Sequence, residues 1–94
     1  MKIIRDKLVD IIPEDEFSYV TQDYGTELLK AKLFEEITEL MEATWEDLEE
    51  YADIIEVLMA LAERHGVSWE KVEIARKIKQ KQRGSFKDNV VYVK

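Results

Sequence analysis

The chain has 94 residues, 46% of them hydrophobic, and a formal net charge of −7 from 14 Lys or Arg against 21 Asp or Glu. This makes one domain, 1–94, apolar enough to fold and too acidic for a general binder of nucleic-acid polymers or anionic membranes. With no cysteine there is no disulfide or thiolate metal site; with charges at Lys2, Arg5, Asp6 and Lys7 and no membrane-length apolar run, a cytoplasmic protein is expected.

In chain order, Ile4 to Ile12 is a short apolar-rich segment closed by Pro13, which predicts one or two helical turns. Phe17 to Thr21 alternates as a short extended piece. Asp23 to Thr26 reads as a turn, with Thr26 the N-cap of a long helix running to Ala43. Thr44, followed by Asp47, marks the start of a second long helix, which ends at His65-Gly66 with Gly66 as the left-handed cap. Ser68 caps a third helix that continues to Arg83, before Gly84. The tail "NVVYVK" has β-propensity, but a lone strand needs a partner. The predicted class is all-α: two long antiparallel helices, a third helix and short terminal segments.

The segment "FEEITELMEATWEDLEEYADIIE" holds ten carboxylates and no Lys or Arg. Each residue turns a helix by about 100°. On the first long helix, Leu29, Leu33, Ile37, Leu40 and Met41 then form an apolar stripe. Glu35 and Glu42 point away from it. Glu36 lands at its edge, with Glu39 about 60° further round. On the second, Ile54, Val57, Leu58 and Leu61 define the apolar face. Glu50 falls inside that face and Asp53 borders it. A carboxylate in a core stripe is costly unless it is paired or binds a cation.

Glu36 with Glu39, and Glu50 with Asp53, are each spaced i, i+3, so each pair shares a helix face. Antiparallel helices joined near Thr44 would bring the pairs together. Four clustered carboxylates repel unless a positive charge sits among them. A hard divalent cation, Mg²⁺ or Mn²⁺, is the natural counter-ion. Acidic runs on helices are ordinarily solvated faces, and Glu50, near the start of its helix, would also favour the dipole or a lysine partner. A solvated face does not explain its place in the core stripe.

"EEITE" at Glu35–Glu39 followed by "EYAD" at Glu50–Asp53 resembles the EEXXE…EXXD signature of MazG-type nucleotide pyrophosphohydrolases. This all-α superfamily includes dimeric dUTPases and phosphoribosyl-ATP pyrophosphohydrolase. "IIRDKLVDII" resembles the opening of small MazG-like proteins, and "KQKQRGSF" their C-terminal basic region. "YADIIEVLMALAERHGVSWEKVE" is similar to their second and third helices. The ten residues between Glu39 and Glu50 are slightly fewer than that pattern usually has, so the joint between the helices must be tight.

The resemblance implies hydrolysis of a nucleoside triphosphate between its α- and β-phosphates, giving a nucleoside monophosphate and pyrophosphate. It implies Mg²⁺, with Mn²⁺ as a substitute, held by Glu36, Glu39, Glu50 and Asp53. Glu35 would orient water or support the ligands. Arg76, Lys79 and Arg83 align along one side of the third helix and are candidates to face the phosphates. The alternative is that they offset the helix dipole and the acidic helices. Arg5 and Lys7 are candidates for phosphate, or Arg5 pairs with Asp6. Phe86 either stacks on a base or packs. His65 reads as a cap or surface residue, and Trp45 and Trp69 as staples at helix starts.

After Asp53 the second helix is apolar nearly all round, from Ile54 to Ala62. A helix of that kind is buried on most sides. A homodimer or homotetramer with this helix in the interface is expected, as family members also assemble. A non-catalytic acidic dimerisation module that binds a basic partner, or a cation binder without catalysis, are the competing readings.

Overall fold

Three α-helices and two short 3-10 turns make up the computed structural model, which describes residues 1–93. The turns are Asp6–Asp10 and Glu14–Glu16; the helices are α1 Gln22–Glu42, α2 Leu48–Arg64 and α3 Trp69–Arg83. The all-α expectation is met: no strand occurs among the described residues. Phe17 and Thr21 have extended torsions but pair with nothing. Val90 to Val93 are likewise unpaired, and Lys94, the last of the predicted β-prone tail, lies outside the described residues. No helix of the described residues is long and apolar enough to cross a membrane.

The caps differ from two sequence expectations. Helix α1 begins at Gln22, four residues before Thr26, and is capped by Thr21, whose hydroxyl accepts from the Tyr24 N–H at 3.2 Å. Thr26 is interior, and its hydroxyl donates to the Gln22 carbonyl at 2.9 Å. Gly25, read as a turn residue, is instead a point of close approach. A Cβ there would sit 3.2 Å from Nη1 of Arg64. That guanidinium donates to the Gln22 carbonyl and the Thr26 hydroxyl, both at 3.1 Å. Helix α2 is capped by Asp47 rather than Thr44, with Asp47 accepting from the Glu49 N–H at 2.9 Å. Gly66 has φ of 70° and Ser68 accepts from the Lys71 N–H at 3.4 Å, as expected.

The joint between α1 and α2 is tight because Trp45 adopts φ of 69°, a left-handed conformation that an aromatic residue takes only at a cost. The Tyr51 hydroxyl donates to the Trp45 carbonyl at 2.9 Å and ties the joint to the first turns of α2. Trp45 is therefore a turn-maker as well as a residue at a helix start.

Helices α1 and α2 pack along each other, while α3 makes a slighter contact with α2. The buried apolar residues are Leu29, Leu40 and Val57. The inward face of α1 is Gly25, Leu29, Glu36 and Leu40, which span about 60° of the helix. Ile37 and Met41, expected in the stripe, are exposed, as is Leu58 on α2. The face is rotated towards Glu36, so that carboxylate sits at its middle and not at its edge. Apolar count alone placed the stripe wrongly, since Ile37 and Met41 continue the pattern on a face that α2 does not cover.

Candidate metal centre

Two helices carry the cluster. Helix α1 presents Glu36 and Glu39 one turn apart, and the Trp45 joint folds α2 back so that Glu50 meets them. One carboxylate oxygen from each of Glu36, Glu39 and Glu50 lies within 4.8 Å of the others. Glu36 is 5% exposed, the single buried charged residue among those described. Oε2 of Glu36 and Oε2 of Glu50 are buried without a hydrogen-bond partner. An ionised oxygen left in that state is costly, and here two belong to residues of one cluster.

Electrostatics agree with the geometry. Burial pushes the Glu36 carboxyl above its ordinary range, and the neighbouring Glu39 charge adds to this, against the Lys32 ammonium 3.4 Å away. Burial also raises Glu50, with Glu39 and then Glu36 contributing. The cluster is short of positive charge. A hard, oxygen-seeking divalent cation fits this donor set, and the two orphaned oxygens are the observation that says so.

Asp53 stands beside the cluster and outside it. Its Oδ1 accepts from Nη2 of Arg5 at 2.6 Å, and the same guanidinium lies 4.0 Å from Glu56. Glu35 also lies outside; it pairs with Lys2 at 3.0 Å, and that hydrogen bond holds its carboxyl below the ordinary range. The Arg5–Asp6 pair considered from sequence is replaced by Arg5–Asp53, a partner 48 residues away.

A cleft of about 920 Å³ adjoins the cluster, with Arg5, Lys7, Lys32, Glu36, Asp53 and Arg64 among its lining residues. Arg5 and Lys7, the N-terminal cations singled out in the sequence, both line this cleft. Arg76, Lys79 and Arg83 do not line it. Within the chain Arg76 pairs with Glu73, one turn before it on α3, and all three are exposed. Sequence reasoning passed over Lys32 and Arg64. Lys32 precedes Glu36 by four residues, the spacing of a helical ion pair. Arg64 falls on the same face of α2 as Glu50 and Val57, and that angle was its signal.

Two packed helices that converge three glutamates beside a cleft lined by both acidic and basic side chains define an all-α protein with an acidic cluster at its helix pair. The family model for phosphoribosyl-ATP pyrophosphohydrolase matches residues 3–86. The chain belongs to that family, within the MazG-like all-α pyrophosphohydrolases, and is a hydrolase acting on acid anhydrides. No curated protein and no solved structure matches the sequence.

Proposed function

We propose that the protein is a Mg²⁺-dependent nucleoside triphosphate pyrophosphohydrolase that cleaves between the α- and β-phosphates, releasing a nucleoside monophosphate and pyrophosphate. Removal of non-canonical nucleotides is the role this activity would serve. The observation that carries the reading is the convergence of Glu36, Glu39 and Glu50 with two buried, unpartnered oxygens.

Glu36, Glu39 and Glu50 would hold the ion, with Asp53 completing the set. Bound there, a divalent cation neutralises phosphate charge and lowers the pKa of a water molecule. The chain's own residues do the rest. Arg5, Lys7 and Lys32 line the cleft and supply cationic donors for the polyphosphate. Glu36 is buried on the same face of α1 as Leu29 and Leu40, where charge interactions are stronger than in water, while Glu39 is exposed and Glu50 half-buried. Glu35, tethered by Lys2, stands one residue before Glu36 on α1 and would orient water or support the ligands.

The test is pyrophosphate release with Mg²⁺ from common nucleoside triphosphates, deaminated ones and phosphoribosyl-ATP. The family match favours including the last, which carries the same bond. Release from none of them refutes the reading. Release from phosphoribosyl-ATP alone narrows the substrate and leaves the chemistry standing.

The active species is proposed to be a homo-oligomer, at least a dimer. Leu48, Tyr51, Ile55 and Leu58 form a second stripe on α2 at the 3-4-3 spacing of helix seams, and all are exposed, as are Phe34, Ile37 and Met41 on α1. The Cα radius of gyration is 17.0 Å, against about 12 Å for a compact domain of this length. A second copy laid on that stripe supplies the missing core and gives α3 a body to pack against. Arg76, Lys79 and Arg83 would then reach an acidic site across the subunit boundary. A compact monomer in sedimentation would refute this assembly.

A further inference from the structure

The N-terminal segment, residues 1–8, lies over the groove between α1 and α2 as a strap with two charged tethers. Lys2 holds Glu35 of α1 at 3.0 Å and Arg5 holds Asp53 of α2 at 2.6 Å. Ile3 and Leu8 are half-buried and line the cleft beneath, and the Leu8 N–H donates to the Arg5 carbonyl at 3.1 Å. The strap is thus pinned to the helices that carry the candidate ligands.

The four carboxylates are not equivalent. Glu36 and Glu50 each keep a buried oxygen with no partner, whereas Asp53 is held by a guanidinium and is excluded from the mutual 4.8 Å set. A dication among Glu36, Glu39 and Glu50 would attract the Asp53 carboxylate and repel the guanidinium that holds it. The two positive charges compete for one anion.

We propose that Arg5 is an exchangeable counter-ion of Asp53, so that divalent-cation loading and docking of the 1–8 strap oppose each other. This rests on the metal reading above. Loading then shifts an arginine with five donors towards Glu56, 4.0 Å away, and leaves it open to an anionic phosphate in a cleft that Lys7 and Lys32 also line. The coupling is reciprocal: whatever loosens the strap tightens the cation, and the cation loosens the strap. Arg5 is in this sense a positioning residue for Asp53. The opposite arrangement, in which Arg5 stays on Asp53 and steadies it for the ion, predicts effects of the opposite sign.

The test is a Mn²⁺ titration followed by electron paramagnetic resonance, with hydrogen exchange at the Leu8 amide as a readout of strap docking. Arg5→Gln is expected to bind Mn²⁺ about two- to fivefold more tightly than wild type, the range an exposed ion pair supports. In wild type, saturating Mn²⁺ is expected to speed Leu8 exchange. Asp53→Asn is expected to make Leu8 exchange fast before any Mn²⁺ is added and indifferent to it afterwards. Equal or weaker Mn²⁺ binding by Arg5→Gln, or slower Leu8 exchange on loading, overturns the exchange while leaving the metal site intact. A wild-type protein that binds no Mn²⁺ overturns both.

Discussion

Replacing Glu50 by Gln tests the site where stability and activity should move in opposite directions. The substitution keeps the shape of the side chain and removes one charge from three that lie within 4.8 Å. Three mutual repulsions become one, between Glu36 and Glu39. Glu50 has no cationic partner among the described residues, so the one favourable interaction lost with its charge is that with the dipole at the start of α2, which is worth less than the two repulsions removed. The amide also brings donors to an oxygen position that is unpartnered in the wild type. The metal-free variant should therefore melt at a higher temperature than wild type at pH 7. Its Mg²⁺- or Mn²⁺-induced stabilisation should vanish. Metal-assisted charge stabilisation is worth several kcal/mol, and about 1.4 kcal/mol is tenfold in rate, so turnover should drop by about a thousandfold or more. Thermal melts with and without Mn²⁺, beside a pyrophosphate-release assay on the same preparations, read both effects. A variant that keeps its turnover, or that melts lower without metal, refutes the assignment of Glu50 to a cation-seeking cluster.

The wild-type protein without metal should lose stability as pH rises from the ordinary carboxylate range through the raised values of Glu36 and Glu50. These groups bind protons more tightly folded than unfolded, and saturating Mn²⁺ should flatten that dependence in denaturant melts. The Lys2–Glu35 tether runs the other way. Glu35 is depressed in the folded state, so its contribution is present above the ordinary carboxylate range and fades as pH falls through its lowered value, a loss that Lys2→Gln should abolish. Leu29→Ala should cost about 2–4 kcal/mol in chemical denaturation, because Leu29 is one of few buried apolar side chains; a loss below about 1 kcal/mol would contradict the packing described. Gly25→Ala gains about 1 kcal/mol of helix propensity but pushes on the Arg64 guanidinium at 3.2 Å, and each of its two hydrogen bonds is worth about 1.5 kcal/mol or more. A net loss of roughly 1 kcal/mol is expected, and a clear gain would mean that Arg64 yields without losing its bonds. Ile55→Glu should shift the protein to monomer in sedimentation while leaving the α1–α2 pair folded.

Local chemistry in the sequence was enough for most of the fold. Glycine after His65, serine before Trp69 and glycine after Arg83 each act within one turn of chain, and each lies where local rules place it. The errors share a cause. Gly25 looks like a turn until α2 is present, because what it accommodates is Arg64, 39 positions further along. Ile37, Met41 and Leu58 fit an apolar stripe, yet the chain covers a different face, because apolar periodicity does not say whether the covering surface is the same chain or another. The joint defeated local reading for a third reason. Trp45 at positive φ is a conformation its side chain disfavours, and the Tyr51 hydroxyl that helps hold it comes from the next helix.

The carboxylates were legible in a different way. Glu50 could be placed in a core stripe by angle alone, and Glu36 and Glu39 joined to it once the joint was granted. What the sequence did not separate was Asp53 from the other three, since spacing puts Glu50 and Asp53 on one face and says nothing of a guanidinium arriving from residue 5. That distinction bears on how the site is stabilised. Leu29, Leu40 and Val57 are a small apolar core for a chain of this length, and the same helix pair buries two unpartnered carboxylate oxygens. The chain carries a destabilising cluster where a larger core would otherwise form, and the missing favourable terms must come from outside it. A dication at the cluster and a second copy on the exposed α2 stripe are the two sources the geometry offers. If both are needed, metal loading and assembly should each raise the melting temperature, and the metal effect should survive in the Ile55→Glu monomer, because Glu36, Glu39 and Glu50 converge within a single chain.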